Sequence, residues 1–186
     1  LKHPSDKGPE QQLKEYLDPM IHSAGHVMEL LANLLEYYRL DAHKTQLNPI
    51  VTPVRKLFEE AIDVFAPTAG KKGIILNLRT AIPPETCIIT DPLRLRQVVM
   101  NLLSNAVKFT DKGHIDLHVS LDGPELFFSV YDTGKGIAPE AQKRIFDEFT
   151  REEASRTPEK EGVGLGLSIV KRTIELFKGN ITLSRN

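Results

Sequence analysis

The chain has 186 residues, of which 40% are hydrophobic and 26% are charged, the balance of an ordinary globular domain. Its net charge of −1 gives no general attraction to nucleic acid or to an anionic membrane. No apolar run approaches the ~20 residues that span a bilayer. The single cysteine, Cys87, excludes an intrachain disulfide, and its apolar neighbours predict a small buried core residue.

Both ends of the chain read as internal to a longer protein. The chain begins at Leu1 without a methionine, and residues 181–186 read as a strand with no partner after it. We therefore expect one domain with an appendage, cut from a larger protein.

The first regular pattern is a heptad repeat that follows a loop-like stretch over residues 1–12. Its apolar positions alternate at spacings of four and three: Leu13, Leu17, Met20, Ala24, Val27, Leu31, Leu34 and Tyr38. This predicts a long helix that buries its apolar face in a bundle, with a second copy of the chain among the partners. Pro19 either kinks this helix or begins it anew after Asp18.

A turn signal at Asn48-Pro49 marks a domain boundary, and alternating strands and helices follow it. The predicted elements are a strand at 50–52, a helix at 54–65 ended by the break at 67–73, strands at 74–78 and 86–90, a helix at 92–109, antiparallel strands at 114–121 and 125–131, a helix at about 164–177 and a final strand. Asp91-Pro92 is predicted to cap the 92–109 helix at its N-terminus.

Three polar residues share one face of the 92–109 helix. Asn101, Asn105 and Lys108 are spaced four and three apart, and the apolar residues occupy the other face. Asn105 offers a neutral oxygen to a hard cation such as Mg²⁺, and Lys108 can offset phosphate charge. Taken alone, the same pattern also fits a solvated helix face.

Two glycine-rich stretches flank a charged segment. The first glycine box is Asp132-Thr133-Gly134-Lys135-Gly136, and the second is Gly162-Val163-Gly164-Leu165-Gly166. They indicate a backbone that approaches a ligand closely, and a helix beginning at the second box would direct its N–H groups at an anion. Neither box is a P-loop or the dinucleotide fingerprint. A carboxylate at position 132 can accept a hydrogen bond from the exocyclic amine of adenine.

Four motifs in order resemble those of sensor histidine kinases. Asn101-x-x-x-Asn105, the first glycine box, Phe146-Asp147-Glu148-Phe149 and the second glycine box are similar to the N, G1, F and G2 boxes of that family, over residues 48–186. The heptad helix resembles the second helix of the family's dimerisation and phosphoacceptor hairpin. The resemblance implies an α/β (α+β) sandwich of the Bergerat ATP-binding type, with a mixed sheet, helices on one face and a long bundle helix before it. It divides the chain into a partial hairpin at 1–48 and a C-terminally truncated catalytic domain at 49–186.

The resemblance also implies ATP and Mg²⁺ as cofactors and a role for each matching residue. Asn105 would bind the metal, Asn101 and Lys108 would lie at the phosphates, Phe109 would pack near adenine and Asp132 would bind its amine. The implied pocket is completed by Gly134, Gly136, Ile137, Gly162, Gly164, Leu165 and Gly166. A lid over about residues 149–161 would be anchored by Phe146 and Phe149, with Arg144 and Arg151 as lid cations or solvated surface residues.

The family's acceptor motif, a histidine followed by an acid, a base, Thr and Pro, is absent from the chain. His3 precedes Pro4 and does not fit it, so we expect the acceptor helix just before Leu1 and no catalytic residue in the chain itself. His22 and His26 are spaced to share a metal, but without a third ligand we favour surface histidines. The implied partners are a second copy of the chain and a response-regulator receiver domain, with no nucleic acid and no membrane contact. The implied location is the cytoplasm, with a membrane anchor elsewhere in the protein left open.

Three functions remain open on sequence grounds. The first is the catalytic part of a histidine kinase, and the second is an ATPase of the same superfamily, such as a type II topoisomerase, mismatch-repair or heat-shock chaperone relative. Those ATPases carry Glu where Asn101 stands, and an amide cannot take a proton from water near neutral pH. The third is a dimerising signalling module without catalytic activity.

Overall fold

A computed structural model describes residues 9–41, 46–148, 150 and 164–184. The first element is the long helix α1 (Pro9–Asp41), which confirms the predicted heptad helix and begins inside the stretch predicted as a loop. Pro19 lies within α1, where the Ser23 hydroxyl donates to the Pro19 carbonyl at 2.8 Å. The helix therefore neither ends nor restarts at Asp18. No helix among the described residues is long and apolar enough to cross a membrane.

The strands form two small sheets, and the larger one is mixed. β1 (Ile50–Pro53) pairs antiparallel with β3 (Cys87–Thr90). In the second sheet β4 (Gly113–Asp122) lies between β2 (Ile74–Thr80), to which it is parallel, and β5 (Glu125–Asp132), to which it is antiparallel. The mixed sheet and the antiparallel pairing of β4 with β5 confirm the sequence predictions.

Two helices cover one face of the three-stranded sheet and form the main core with it. These are α2 (Val54–Lys71) and α3 (Pro92–Phe109). Phe58 of α2 and Leu103 of α3 are fully buried against Ile115 and Leu117 of the central strand, and the Phe58 ring packs on Phe128 with 5.5 Å between centroids. Burying such side chains contributes about 1.5–3 kcal/mol each. Two further described helices are short: α4 (Pro139–Gln142), which follows the first glycine box, and α5 (Gly166–Leu176), which packs against α3 and α1.

The predicted N-cap of α3 is confirmed. The Asp91 carboxylate accepts from the backbone N–H of Arg94 at 3.0 Å, and Pro92 occupies the first turn. The other carboxylate oxygen accepts from the backbone N–H of Asn48 at 2.9 Å. Asp91 therefore fixes the start of α3 and ties it to the segment that precedes β1.

Three predictions about these elements are wrong. α2 continues through Pro67 to Lys71 instead of ending before Pro67. Proline has no N–H, so the Asp63 carbonyl loses its hydrogen bond within the helix. Asp63 and Pro67 both lie on the exposed side of α2, where water can bind that carbonyl. Cys87 is exposed, since the β1–β3 pair alternates and places Cys87 on its outer face with Ile89. Up to Ser184, the described residues after Gly179 form no strand, as no described strand pairs with them.

Candidate functional site

The polar face of α3 forms one wall of a cleft. Asn101, Asn105 and Lys108 are each partly buried and line the cleft, while Leu103 and Val107 on the opposite face are buried in the core. The Asn101 side-chain amide donates to the Gln97 carbonyl at 3.1 Å. Its oxygen is directed at the second glycine box, because a Cβ added to Gly166 would lie 3.2 Å from it.

The first glycine box lies at the end of α3. Asp132 ends β5, and its carboxylate accepts from the backbone N–H of Gly134 at 2.9 Å, which fixes its orientation. A Cβ at Gly134 would lie 2.5 Å from the Phe109 carbonyl oxygen, so only glycine permits this approach. The next residue, Lys135, donates its backbone N–H to the same carbonyl at 3.4 Å.

Gly136 carries the chain away from the box in a left-handed conformation, with φ of +73°. This turn is favourable only for glycine, and it leads to Ile137, which is partly buried and lines the cleft. The Gln142 side chain of α4 donates to the Ile137 carbonyl at 2.8 Å. The backbone of the predicted pocket residue Ile137 is thus held by α4.

Two lysines flank the ring of Phe109. The ammonium groups of Lys108 and Lys135 each lie 5.4 Å from the ring centroid, within the range of a cation–π contact. Lys135 was not among the residues singled out from the sequence, although a cation between the two glycines of the first box is a visible signal. Together the lysines place positive charge on one wall of the cleft.

The described part of the second glycine box, residues 164–166, forms another wall of the cleft, next to Asn101. Gly164 has φ of +75°, and Gly166 begins α5, so the positive end of this helix lies at the cleft. Leu165 lines the cleft but is 1% exposed, because its side chain packs against α1. This box therefore contacts both the cleft and the long helix.

The contact between α1 and α5 has an apolar and a polar part. Tyr37, Leu165 and Ile169 form a buried cluster, to which Leu34 and Leu176 add. The Arg172 guanidinium lies 4.7 Å from the Tyr37 ring centroid and donates both to the Tyr37 hydroxyl at 2.9 Å and to the Glu148 carboxylate at 2.7 Å. A hydrogen bond from Tyr37, and then that from Arg172, lower the pKa of Glu148 below its ordinary value of 4.5.

A second ion pair joins α1 to α3. Glu36 accepts from the Arg94 guanidinium, and both side chains are largely shielded from solvent. Arg94 also donates to the Gln97 side chain at 3.0 Å. The C-terminal end of α1 is therefore attached to both helices that border the cleft.

The structure brings most of the predicted site residues together. The cleft is lined by Asn101, Asn105, Lys108, Phe109, Asp132, Gly136, Ile137, Phe146, Gly164, Leu165 and Gly166. Gly134 lies behind Phe109, and Arg144 is an exposed residue that pairs with Asp147 at 3.7 Å. Phe149, Arg151, Gly162 and the side chains of His22 and His26 lie outside what the structure describes.

The donor set of the cleft suits a cation that is shared with a ligand. Among the described residues, no group of three or more His, Cys, Asp or Glu side chains is arranged to hold a metal. A divalent cation at Asn105 would take one amide oxygen from the protein and the rest of its shell from water and a ligand's phosphates. This is the mode of binding that Mg²⁺ adopts at nucleotides.

Residues 90–186 match the family model described as histidine kinase-, DNA gyrase B-, and HSP90-like ATPase. The chain is 38% identical over 191 residues to the virulence sensor protein BvgS of Bordetella pertussis (strain Tohama I), which covers 98% of the chain and 15% of BvgS. It is 32% identical over 176 residues to the signal transduction histidine-protein kinase BarA of Escherichia coli (strain K12), which covers 91% of the chain and 19% of BarA. The chain thus spans less than a fifth of the length of these relatives.

Solved structures resemble the chain across both α1 and the sheet domain. Full-length ShkA in complex with AMPPNP superposes with a TM-score of 0.76 at 33% identity, over 94% of this chain and 35% of that one. Histidine kinase ThkA in complex with the response regulator protein TrrA superposes with a TM-score of 0.68 at 23% identity, over 96% of this chain and 47% of that one. The second likeness is one of fold.

Proposed function

Because this chain belongs to the family of histidine kinase-, DNA gyrase B- and HSP90-like ATPases, we propose that it holds Mg-ATP in the cleft and is the catalytic part of a two-component sensor histidine kinase. The observation that carries the proposal is the arrangement of the cleft. The Asn101, Asn105 and Lys108 face lies next to Gly164 and Gly166, and Asp132 lies in the same cleft. One wall thus offers an amide oxygen and cations to a phosphate chain, and another offers a helix N-terminus.

Each residue then has a role that its position supports. Asp132, oriented by Gly134, accepts from the adenine amine. Asn105 supplies the protein's oxygen ligand to Mg²⁺, Asn101 lies at the phosphates, and Lys108 offsets their charge. The rest of the proposed pocket is Phe109, Gly134, Gly136, Ile137, Gly162, Gly164, Leu165 and Gly166, with Phe146, Phe149 and Arg151 at the lid. Lys135 adds a second cation beside Phe109.

The proposed reaction is transfer of the γ-phosphoryl group to a histidine on a helix of the longer protein. The bond from the γ-phosphorus to the β–γ bridging oxygen breaks and a phosphorus–nitrogen bond forms. The imidazole releases its N–H proton to water, and ADP leaves with the electron pair of the broken bond. Bound Mg²⁺ would supply charge neutralisation. The protein residues supply position and electrostatic stabilisation, which are the main components of catalysis in phosphoryl transfer.

Asn101 favours transfer over hydrolysis. Its amide nitrogen donates to the Gln97 carbonyl, and a carboxamide cannot act as a general base near neutral pH. A water molecule near the γ-phosphate would therefore lack the base that an ATPase supplies. ATP would persist in the cleft until an acceptor histidine arrives.

The proposed partners follow the same reading. The exposed heptad face of α1 suits a second copy of the chain, and the solved complex of ThkA with a response regulator supports a receiver domain as the recipient of the phosphoryl group. Use of ATP as the donor suits a cytoplasmic location for this domain.

Nucleotide binding is the first test. Calorimetry with a non-hydrolysable ATP analogue and Mg²⁺ should detect binding, and Asn105→Ala should weaken it about tenfold or more, equivalent to about 1.4 kcal/mol. Chelating the metal should weaken binding by the wild type much more than binding by Asn105→Ala. Asn48→Ala, which makes the same change at an exposed loop residue away from the cleft, is the matched control and should bind as the wild type. Equal affinities for Asn105→Ala and wild type would refute the metal role.

Labelled ATP then separates the three candidate activities. With the longer protein that carries the acceptor helix, the kinase should transfer the label to protein, in an acid-labile and base-stable linkage. Rapid release of phosphate without labelled protein would identify an ATPase instead. Binding with neither transfer nor release would identify a signalling module without catalytic activity.

A further inference from the structure

The last four backbone carbonyls of α3, those of residues 106–109, accept hydrogen bonds from three different sources. The Ala106 carbonyl accepts from the Thr110 N–H at 3.0 Å, and the Phe109 carbonyl accepts from the Lys135 N–H of the first glycine box. The two carbonyls between them, those of Val107 and Lys108, accept from the side chain of Lys72. This lysine matched no sequence motif.

Lys72 holds this end of α3 from a fixed base. It is the residue that caps α2, where its own backbone N–H donates to the Ala69 carbonyl at 3.0 Å. Its ammonium group lies 2.6 Å from the Val107 carbonyl oxygen, 3.3 Å from that of Thr110 and 3.5 Å from that of Lys108. An ammonium has three donors, and its charge is opposite to that of a helix C-terminus. Lys72 is therefore a cap for α3 supplied by another helix.

The capped turn is the one that enters the cleft. Lys108 and Phe109 belong to it, and Asn105 lies one turn earlier. On its other side the turn is held by the first glycine box, whose Gly134 backbone packs against the Phe109 carbonyl. Lys72 itself does not line the cleft. Lys72 can therefore act on a ligand through the position of this turn, without direct contact.

We propose that Lys72 is a positioning residue for phosphate binding, which sets the last turn of α3 against the first glycine box and so aims Lys108 at the phosphates. This inference rests on the proposed function. Without the cap, the carbonyls of Val107 and Lys108 lose their partner, the last turn frays, and Lys108 leaves its position. Phe109, which is expected near adenine, belongs to the same turn, but Asp132 belongs to β5 and is oriented by Gly134. The adenine end of the site is therefore less affected than the phosphate end.

The test compares ATP with adenosine at three lysine variants. Lys72→Met keeps the length and apolar stem but removes the donors, Lys72→Arg keeps charge and donors, and Lys71→Met makes the same change at the exposed neighbour. Affinities for the ATP analogue with Mg²⁺ and for adenosine are measured well below each variant's Tm. We expect Lys72→Met to lower the affinity for the ATP analogue about tenfold and the affinity for adenosine less than threefold. Lys72→Arg should recover most of the lost affinity, and Lys71→Met should bind both ligands as the wild type does.

A purely structural role for Lys72 predicts a different pattern. In that case Lys72→Met would have a lower Tm and would lose affinity for ATP and for adenosine by the same factor. That result would overturn the inference, and so would an unchanged affinity of Lys72→Met for ATP. Hydrogen exchange in the absence of nucleotide gives a second readout, in which the Thr110 and Lys135 amides should exchange faster in Lys72→Met than in Lys71→Met. If the wild type itself does not bind ATP, the proposed function is wrong. If the wild type binds ATP and Lys72→Met binds it equally well, only the inference about Lys72 is wrong.

Discussion

At position 134 the backbone of the first glycine box passes too close to the end of α3 for any side chain. A Cβ there would lie 2.5 Å from the Phe109 carbonyl oxygen and 2.7 Å from a carboxylate oxygen of Asp132. Gly134 also donates its N–H to that carboxylate oxygen. One residue thus sets both the distance between the box and α3 and the direction of the proposed adenine ligand.

Substituting Gly134 by Ala should separate these two parts of the site. Because the obstructing atoms are mostly backbone, the box must move, and we expect the affinity for the ATP analogue to fall at least tenfold. Gly70→Ala is the control, since nothing lies within 4 Å of a Cβ there and alanine suits a helix better than glycine. Calorimetry on both variants checks the expectation, and wild-type affinity in Gly134→Ala would contradict it.

Functional residues could be predicted from the sequence where their partners lie close by in the chain. Asn101, Asn105 and Lys108 share a helix face by spacing alone, and the glycine boxes announce close backbone contacts. The contacts of Lys72 and Lys135 could not be predicted in this way, although the place of Lys135 in the first glycine box was visible. Their partners, the Val107 carbonyl and the Phe109 ring, lie far along the chain, so only the packing of α2 and the first box on α3 reveals them.

Among the elements, the junction of α1 with α5 shows how the cleft and the long helix are connected. Tyr37 of α1 packs on Leu165 of the second glycine box, and its hydroxyl bonds with Arg172 of α5. Arg172 also holds Glu148, which lies in the F-box turn. Three separate elements therefore meet around Tyr37. A movement of α1 would shift the residues of the second glycine box that line the cleft.

The carboxylate of Glu148 reports on this junction. Its pKa is lowered first by the Tyr37 hydroxyl and next by Arg172, so the contact is fully formed at neutral pH and is lost as the pH falls through that lowered pKa. Tyr37→Phe and Arg172→Met should each raise the pKa of Glu148, by removing a donor that favours the ionised form. Titration of the Glu148 carboxyl carbon by NMR measures this directly.

Tyr38→Phe provides the matched control for that titration. Tyr38 is the next residue of α1, is exposed, and meets the Tyr37 ring edge-on at 5.7 Å between centroids. Its hydroxyl should have no effect on the pKa of Glu148. An unchanged pKa in Tyr37→Phe, or an equal rise in Tyr38→Phe, would show that the junction is not held in this way.

The elements themselves were predictable to the extent that their signals are periodic. The 3.6-residue pattern and the Asp91-Pro92 cap located α3, and the alternation of polar and apolar residues located β4 and β5. The predictions failed where the result depends on which side of a helix or strand is exposed to solvent. Pro67 is tolerated because it faces water, and the apolar run at Cys87 forms a strand in a two-stranded sheet with an exposed face.

Viewed as a whole, the molecule buries apolar side chains near the C-terminal end of α1 and leaves apolar positions nearer its N-terminus exposed. Leu34 and Tyr37, near its C-terminal end, pack on the domain that holds the cleft. Further toward the N-terminus, the heptad positions Met20 and Val27 are 67% and 52% exposed. A helix with such a stripe gains stability only by burying it, and a heptad seam is matched by another helix of the same pattern.

We therefore expect the exposed seam of α1 to mediate self-association. The double variant Met20→Gln, Val27→Gln should raise the dissociation constant of the dimer at least tenfold, because each buried apolar side chain contributes about 1.5–3 kcal/mol and tenfold corresponds to about 1.4 kcal/mol. Sedimentation of the purified chain over a range of concentrations measures this.

The matched control is the double variant Asp18→Gln, Ala32→Gln. It introduces the same side chains at positions outside the seam and should leave the dimer unchanged. ATP-analogue affinity should stay at the wild-type level in both, since none of the four positions lines the cleft. If the two double variants weaken the dimer equally, or if the chain remains monomeric at every concentration, α1 does not pair through this seam.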